Sequence, residues 1–329
     1  MLAYLTRRLL LAASTVAAVS FGAFVAFGLS FDPSGPLAAA PTPAAHRARA
    51  LVQDHYHLKG PIVARYGLWV RSLVRHGFGS TVSIDVGGDP PHFLSPGTPI
   101  GPRVRHAAGI SAELVGVALA LVLAFSALVG TVSAQRRRLR LDVSSRALAY
   151  VGAAIPTFLM GDLLRRAIAP EQAAGGSSWF LLGPPSGGFV DWLRHMTLPA
   201  LTLAVGLVGV YSRYVRSSML VALGQTYVTV ARAKGLREGR VVVRHALRNS
   251  WIPVISVLSL ELGGVIGASI AADGVFGTGG LASVFLDALG RGDPFMLTAL
   301  VVMTAAIVCL FTFVGDSLVG ALDPRLRVH

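Results

Sequence analysis

Long runs without a charged residue dominate the pattern of polar and apolar positions along the chain. Three of these runs are uninterrupted and cover 9–31, 114–135 and 294–315. A helix needs about 20 predominantly apolar residues to cross the hydrocarbon core of a bilayer. Each of the three runs is long enough, so each predicts a membrane-spanning helix.

Three further apolar segments carry a few charges and are also predicted to span. One contains Asp162, Arg165 and Arg166, the next ends on two arginines, and the third holds Glu261 near its midpoint. The sequence thus predicts an all-α membrane protein with a single transmembrane domain over 1–329 and about six transmembrane helices. Their predicted bounds are 9–31, 112–134, 147–168, 196–221, 250–273 and 295–316.

Composition agrees with lipid as the solvent for much of the surface. Only 14% of the 329 residues are charged and 53% are apolar, whereas a soluble domain has about 25% charged residues. The net charge of +13 would indicate a nucleic-acid ligand in a soluble protein, but here it fits arginine-rich cytoplasmic loops, so no nucleic-acid partner is expected. The single cysteine, Cys309, excludes an intramolecular disulfide and a multi-cysteine metal site.

The first apolar run also resembles a signal peptide, because Arg7 and Arg8 precede it and an alanine-rich stretch follows it. The apolar core of a signal peptide is about 7–15 residues long. The run here has 23, which favours a retained membrane anchor.

The distribution of lysine and arginine predicts the orientation. With the N-terminus inside, the segments 1–8, 135–146, 213–249 and 317–329 hold 17 basic residues, and the two short outer loops hold four. Short loops rich in basic residues stay in the cytoplasm, whereas long loops cross regardless of charge. Both termini are therefore predicted to be cytoplasmic, and 32–111 to be a long extracytoplasmic loop.

This outer loop divides into two parts. Residues 44–76 are predicted to be helical and amphipathic, lying on the outer membrane surface or capping the bundle. One predicted face carries Leu51, His55, Leu58 and Ile62, and its continuation carries Tyr66, Trp69, Val70 and Leu73. Residues 77–102 are rich in glycine and proline and are predicted to be irregular, with a short extended piece at 81–85.

The segment 224–250 differs from an ordinary polar loop because small apolar residues alternate with basic ones. Residues 226–234 can form a helix, Gly235 can adopt positive φ and turn the chain, and 241–249 can form a second helix. Such a helix–glycine–helix knob, with small residues at Ala231, Ala233 and Gly235, could enter a groove on a partner. The basic rim would then face acidic groups.

This segment resembles the cytoplasmic coupling loop, called the EAA loop, of ABC importer permeases in the oligopeptide/dipeptide family. The matching residues are Tyr227, Val228, 231–236, 244–249, Ile252 and Pro253; Thr229 and Val230 depart from the family pattern. Weaker similarities extend along nearly the whole chain. They lie at 1–10, 55–58, 66–69, 77–80, 155–158, 274–281 and 322–327. An insertion rich in proline and glycine at 85–102 is a further departure.

The resemblance implies a type I ABC importer permease fold and a complex of several different subunits at the cell membrane. The expected partners are a second, homologous permease, two ATPase subunits and an extracytoplasmic substrate-binding protein. Contact with the ATPase subunits is expected from Tyr227, Ala231, Arg232, Ala233, Lys234, Gly235, Leu236, Arg237, His245, Arg248 and Asn249. ATP and magnesium would be bound by the partner subunits, so neither a cofactor nor a metal site is expected in this chain.

The chain has no G-x-x-x-x-G-K-[ST] sequence, the loop that cradles phosphates in many ATPases. It is therefore predicted to be no enzyme itself but a transport subunit. Oligopeptides or dipeptides are the expected cargo; nickel, glutathione or haem with the same architecture are alternatives. A membrane enzyme or a self-sufficient channel is a remote alternative, since the predicted spans hold no cluster of histidines, cysteines or paired carboxylates.

Charges within spans usually face a pathway or a partner, because they cost about 2.5–3.5 kcal/mol at the bilayer centre. Glu261 is a candidate pathway residue that would accept a substrate amine or amide. It could instead tie the chain to the second permease or be a protonated acid. Asp162 and Arg165 are further pathway candidates, although Asp162 can pair locally with Arg165 and Arg166.

Overall fold

The computed structural model describes residues 2–35, 43–81, 83–85, 92–94, 99–135, 154–173 and 179–322. These residues form helices, connecting turns and one short antiparallel strand pair. The helices are α1 (Leu2–Ser30), α2 (Pro43–His55), α3 (Ile62–His76), α4 (Ile100–Gln135), α5 (Thr157–Ala173), α6 (Phe189–Leu223), α7 (Thr226–Ala233), α8 (Glu238–Arg240), a π-helix (Val241–Leu247), α9 (Arg248–Phe276), α10 (Leu281–Arg291) and α11 (Pro294–Leu322). The strands are β1 (Ser83–Asp85) and β2 (His92–Leu94).

Four helices among the described residues are long and apolar enough to cross a membrane. They are the segments Thr6–Ser30, Ile100–Gln135, Phe189–Leu223 and Pro294–Ser317. A fifth candidate is a bent pair, Glu238–Ser259 and Glu261–Phe276, whose axes differ by 63°. Five of the six predicted spans thus coincide with these candidates, while the remaining one, 147–168, lies partly outside the described residues.

The contacts of the described chain group it into two compact units. Unit 1 comprises 1–6, 111–278 and 310–329, and unit 2 comprises 7–110 and 279–309. Each unit has its own buried core.

The core of unit 1 is formed mainly by α6 and α9, with Tyr211 fully buried at its centre. Two glycines let helices approach closely in this unit. A Cβ at Gly130 would lie 2.7 Å from Val215, and a Cβ at Gly315 would lie 2.6 Å from Ser259. Small residues at such positions bring helix backbones together, which is how helices associate in a membrane.

The core of unit 2 forms around the aromatic side chains of α1 and α3. Trp69 is 6% exposed, and its ring lies 5.8 Å from Phe24 and 6.1 Å from Tyr66. The Tyr66 hydroxyl is hydrogen-bonded to Ser20 Oγ at 2.6 Å. The buried start of α4 and residues of α10 and α11 complete this core.

Polar contacts fix the helix ends of unit 2. Arg103 on α4 pairs with Asp287 on α10, and Arg291 pairs with the same carboxylate at 3.0 Å. Asp293 caps α11 by accepting hydrogen bonds from the backbone N–H groups of Phe295 and Met296, both at 3.0 Å. An aspartate directly before a proline at the first helical position is a favoured start for a helix.

Several sequence predictions about residues 44–102 need correction. Residues 44–76, predicted to be helical, form two separate helices, α2 and α3. The buried face of α2 is Ala45, Ala48 and Val52, while Leu51, on the predicted apolar face, is 60% exposed. The predicted face of α3 is confirmed, because Trp69 is buried and Tyr66, Val70 and Leu73 pack against the same core.

The predicted irregular segment 77–102 extends too far along the chain. Helix α4 begins at Ile100, since Pro102 is tolerated in the first turn of a helix, where its missing N–H would have no intrahelical partner. The predicted extended piece at 81–85 is confirmed in part, as β1 pairs with β2. Helix α10 has no counterpart among the predicted elements, because a short amphipathic helix contains charged residues and forms no long apolar run.

Candidate functional site

The segment 224–250 contains the predicted helix and glycine turn. Helix α7 begins at Thr226, and Gly235 has φ +74°. The N–H of Gly235 donates to the Arg232 carbonyl at 2.9 Å, and the N–H of Leu236 donates to the Ala231 carbonyl at 3.3 Å. These two bonds around a left-handed glycine form a Schellman motif, which satisfies carbonyls at the end of a helix. The turn therefore has a defined geometry.

A small apolar core lies beneath this turn. Val228 and Ala231 from α7 and Val241 from the π-helix are buried together, with Leu223 and Leu236 packed against them. Contact between Leu236 and this cluster is the hydrophobic contact that usually accompanies a Schellman motif. Ala231 is only 6% exposed, so among the three small residues of the predicted knob it packs inward and supports the surface from beneath.

An ion pair spans the same turn on its exposed side. Arg232 Nη2 and Glu238 Oε1 lie 2.7 Å apart, and Arg232 Nε donates to Glu238 Oε2 at 3.1 Å. The hydrogen bond to Glu238 raises the pKa of Arg232, and the hydrogen bond from Arg232 lowers the pKa of Glu238. Arg232 is among the residues predicted to contact the ATPase subunits and Glu238 is not, although an arginine that ends one helix and a glutamate that starts the next indicate such a pair.

The outward surface of the segment combines apolar and basic groups. Tyr227, Val230 and Val243 are 38%, 46% and 61% exposed. Five basic side chains of the same segment are also exposed, namely Lys234, Arg237, Arg240, Arg244 and Arg248. Of the other predicted contact residues, Ala233 and Asn249 are exposed and His245 is half-buried. A mixed surface of this kind can bind a protein partner with an apolar groove and an acidic rim.

The second predicted helix, 241–249, takes a different form. Residues Val241–Leu247 are π-helical and lead directly into α9. The axis runs without a break from Glu238 to Ser259, so the segment that starts at the ion pair continues into an apolar helix. Short π-helical stretches inside α-helices often occur at functional sites.

The bend of 63° in α9 falls beside Glu261. The Ser259 hydroxyl donates to the Ile255 carbonyl at 2.8 Å, a bond that often bends helices. Tyr211 donates its hydroxyl hydrogen to Glu261 Oε2 at 2.9 Å. Tyr211 is fully buried, whereas Glu261 is exposed, as are Gly264 and Gly267 on the same helix. Glu261 thus lies on an exposed face of α9, and one of its carboxylate oxygens already accepts a hydrogen bond from Tyr211.

The local pairing expected for Asp162 is confirmed. Its carboxylate lies 2.7 Å from Arg166 Nε and 3.7 Å from Arg165 Nη2. Within the described part of the chain, no group of three or more histidine, cysteine, aspartate or glutamate side chains could hold a metal ion.

Several apolar helices of spanning length, two of them joined by an exposed basic segment, define a multi-pass membrane protein. Residues 126–328 match the family described as the binding-protein-dependent transport system inner membrane component. The chain belongs to this family, a family of ABC transporter permeases that act as membrane components together with other transporter subunits.

Curated relatives match the chain along most or all of its length. It is similar to the oligopeptide transport system permease protein OppB of Mycobacterium tuberculosis, with 30% identity over 99% of both chains. It is also similar to the oligopeptide transport system permease protein AppB of Bacillus subtilis, with 29% identity over 99% of this chain and 100% of the relative. The dipeptide transport system permease protein DppB of Bacillus subtilis is 28% identical over 84% of this chain and 83% of the relative.

Proposed function

We propose that this chain is the permease subunit of an ATP-driven importer that moves oligopeptides or dipeptides delivered by an extracytoplasmic binding protein. The names of the relatives support this cargo, because oligopeptide and dipeptide permeases match the chain along most of its length. The fold contributes apolar helices of spanning length. The remaining subunits supply ATP hydrolysis and bind ATP and magnesium.

The segment 224–250 is the docking surface for one of two ATPase subunits, and a second, homologous permease offers the other. The observation that carries this proposal is the exposed helix–turn–helix surface, whose second helix runs on into an apolar span. Tyr227, Val230 and Val243 would fill an apolar groove. The exposed lysine and arginines of the same segment would face acidic groups.

Orientation follows from the same assignment. We place both termini and the segment 224–250 on the cytoplasmic side of the cell membrane, and 32–111 on the opposite side. The excess of basic residues in the proposed inner segments supports this placement. Closure of the ATPase subunits would then move the segment 224–250 and tilt the attached helices, so that access alternates between the two sides.

Replacing Gly235 tests the coupling role. Its φ of +74° strains any side chain, although a Cβ there would meet no atom within 4 Å. We expect Gly235→Val to reduce transport per ATP hydrolysed roughly tenfold, since a left-handed backbone costs a residue with a side chain about 1–2 kcal/mol. Transport and ATP hydrolysis would be measured together in vesicles containing the whole complex.

Gly239 provides the matched control. It is exposed, lies in α8, also has open space around it and has no positive φ. Gly239→Val should leave the ratio of transport to hydrolysis near that of the unmodified protein. Unchanged coupling in Gly235→Val, or equal loss in both variants, would contradict the proposed role.

Glu261 is proposed to line the translocation pathway and to accept an amine or amide group of the cargo. Its exposed position at the bend and the hydrogen bond from Tyr211 support this role. The other pathway candidates, Asp162 and Arg165, already pair with each other. Glu261→Gln should therefore alter uptake rate or cargo range, whereas Asp162→Asn should alter them less. Unchanged uptake of a panel of peptides by Glu261→Gln would assign Glu261 a structural role.

A further inference from the structure

We propose that Arg232 and Glu238 form a clamp that fixes α7 to the start of the helix leading into the membrane, and that Arg232 acts on coupling through Glu238. The inference rests on the proposed docking of an ATPase at 224–250. It assigns Glu238 a positioning role and removes Arg232 from the residues that touch the partner.

The geometry of the pair is that of a two-pronged contact. Both carboxylate oxygens of Glu238 are engaged, one by Nε and one by Nη2 of the same guanidinium, at 3.1 and 2.7 Å. Exposed ion pairs usually contribute little, and a two-pronged contact is the exception because it fixes geometry as well as charge. The guanidinium is thereby directed toward its own chain.

The two residues occupy the facing ends of two helices. Arg232 lies in the last turn of α7, and Glu238 lies in the first turn of α8. A cation at a helix C-terminus and an anion at a helix N-terminus are each favourable in the field of the helix. Each charge of the pair is therefore favourable at its helix end, and the pair bridges the turn at Gly235.

The clamp adds a second attachment on a different side of the turn. The inner attachment is the apolar cluster of Val228, Ala231 and Val241, and the outer one is the exposed ion pair. With only the inner attachment, opening of the two Schellman hydrogen bonds would let α7 pivot about Gly235, since glycine permits many backbone conformations. Two attachments make α7 and the segment from Glu238 to Ser259 move as one body, which is what a coupling element requires.

The charge state of the pair determines the conditions of the test. Because pairing lowers the pKa of Glu238, its contribution is present at neutral pH. That contribution is lost in acid as the pH falls through the lowered value. Assays at neutral pH therefore report on the intact clamp.

The test is a charge swap in the full chain. Arg232→Glu and Glu238→Arg each break the pair, and the double variant restores it with the charges exchanged. In the reconstituted complex we expect each single variant to lower transport per ATP roughly two- to fivefold, the range that exposed pairs give in mutant cycles. The double variant should recover part of this loss, because the pair forms again but each exchanged charge now lies at the unfavourable end of its helix. Lys234→Glu combined with Glu238→Arg is the control and should show no recovery.

A second measurement separates the clamp from docking. Amide hydrogen exchange at Gly235 and Leu236, whose N–H groups close the Schellman motif, is followed in the purified chain without ATPase subunits. Faster exchange in both single variants and recovery in the double variant support the clamp. No change in exchange overturns it.

If the double variant recovers slow hydrogen exchange but no transport per ATP, the inference is also overturned, because Arg232 would then contact the ATPase subunit itself. Failure of the docking proposal has a different signature. In that case hydrogen exchange would still be faster in both single variants and slower again in the double variant. Neither the single charge variants nor Gly235→Val would change transport per ATP.

Discussion

The segment 224–250 in unit 1 and the core of unit 2 differ in how far apart along the chain their contacting residues lie. In the segment, the ion pair joins residues six apart. In unit 2, Ser20 bonds to Tyr66 across 46 positions, and Arg103 pairs with Asp287 across 184. Contacts between near neighbours form with little loss of loop entropy, whereas distant ones form only when whole helices are in place.

This difference has a consequence for how each region responds to damage. A substitution in the core of unit 2 should weaken the packing of several helices together. A substitution in the segment 224–250 should loosen a few residues and leave the rest of the chain intact. The expected effects can be compared in the purified chain, where local and global unfolding are measured separately.

Trp69→Ala should have the larger effect. The ring is buried among Phe24, Tyr66 and Phe78, and removing such a side chain costs about 3–5 kcal/mol. A lower unfolding midpoint of the chain in detergent would show this loss.

The matched variant is Trp69→Phe. The indole N–H of Trp69 has no hydrogen-bond acceptor among the residues that the structure describes, so phenylalanine removes an unpaired polar group while it retains an aromatic ring. Its loss should be clearly smaller than that of Trp69→Ala. Equal losses would show that the ring is not the centre of this core.

Val228→Ala should have a smaller and local effect. Val228 is fully buried in the apolar cluster under the turn, and the removal of two buried methyl groups costs about 1–2 kcal/mol. Hydrogen exchange should quicken across 226–236 while the midpoint of global unfolding stays the same. Val230→Ala, at a site 46% exposed, should change neither measurement, and a fall in the global midpoint for Val228→Ala would contradict the local character of this cluster.

The same difference in length scale explains what the sequence could predict. The helix at Thr226, the turn at Gly235 and the pairing of Asp162 all depend on residues a few positions apart, and all three are confirmed. The long apolar runs were readable for a similar reason, since one stretch of sequence determines whether a helix can span.

The errors concern positions that distant contacts decide. The predicted apolar face of α2 carries Leu51, but the face that packs inside the protein carries the neighbouring Val52 together with Ala48. Ala231, predicted to lie on the docking knob, instead packs inward against Val241, which lies ten residues further along the chain. The hydrogen bond from Tyr211 to Glu261 joins residues 50 apart, and no local pattern indicates it.

Site-specific photocrosslinking tests whether the segment 224–250 is the surface that an ATPase subunit binds. A photoreactive side chain would be placed at Val230, which is 46% exposed on α7, and at Val63, which is 66% exposed on α3 in unit 2. In the assembled complex, irradiation should join the ATPase subunit to the chain at position 230 and leave position 63 without this product. Absence of the product at 230, or equal amounts at both positions, would contradict the assignment of 224–250 as the coupling segment.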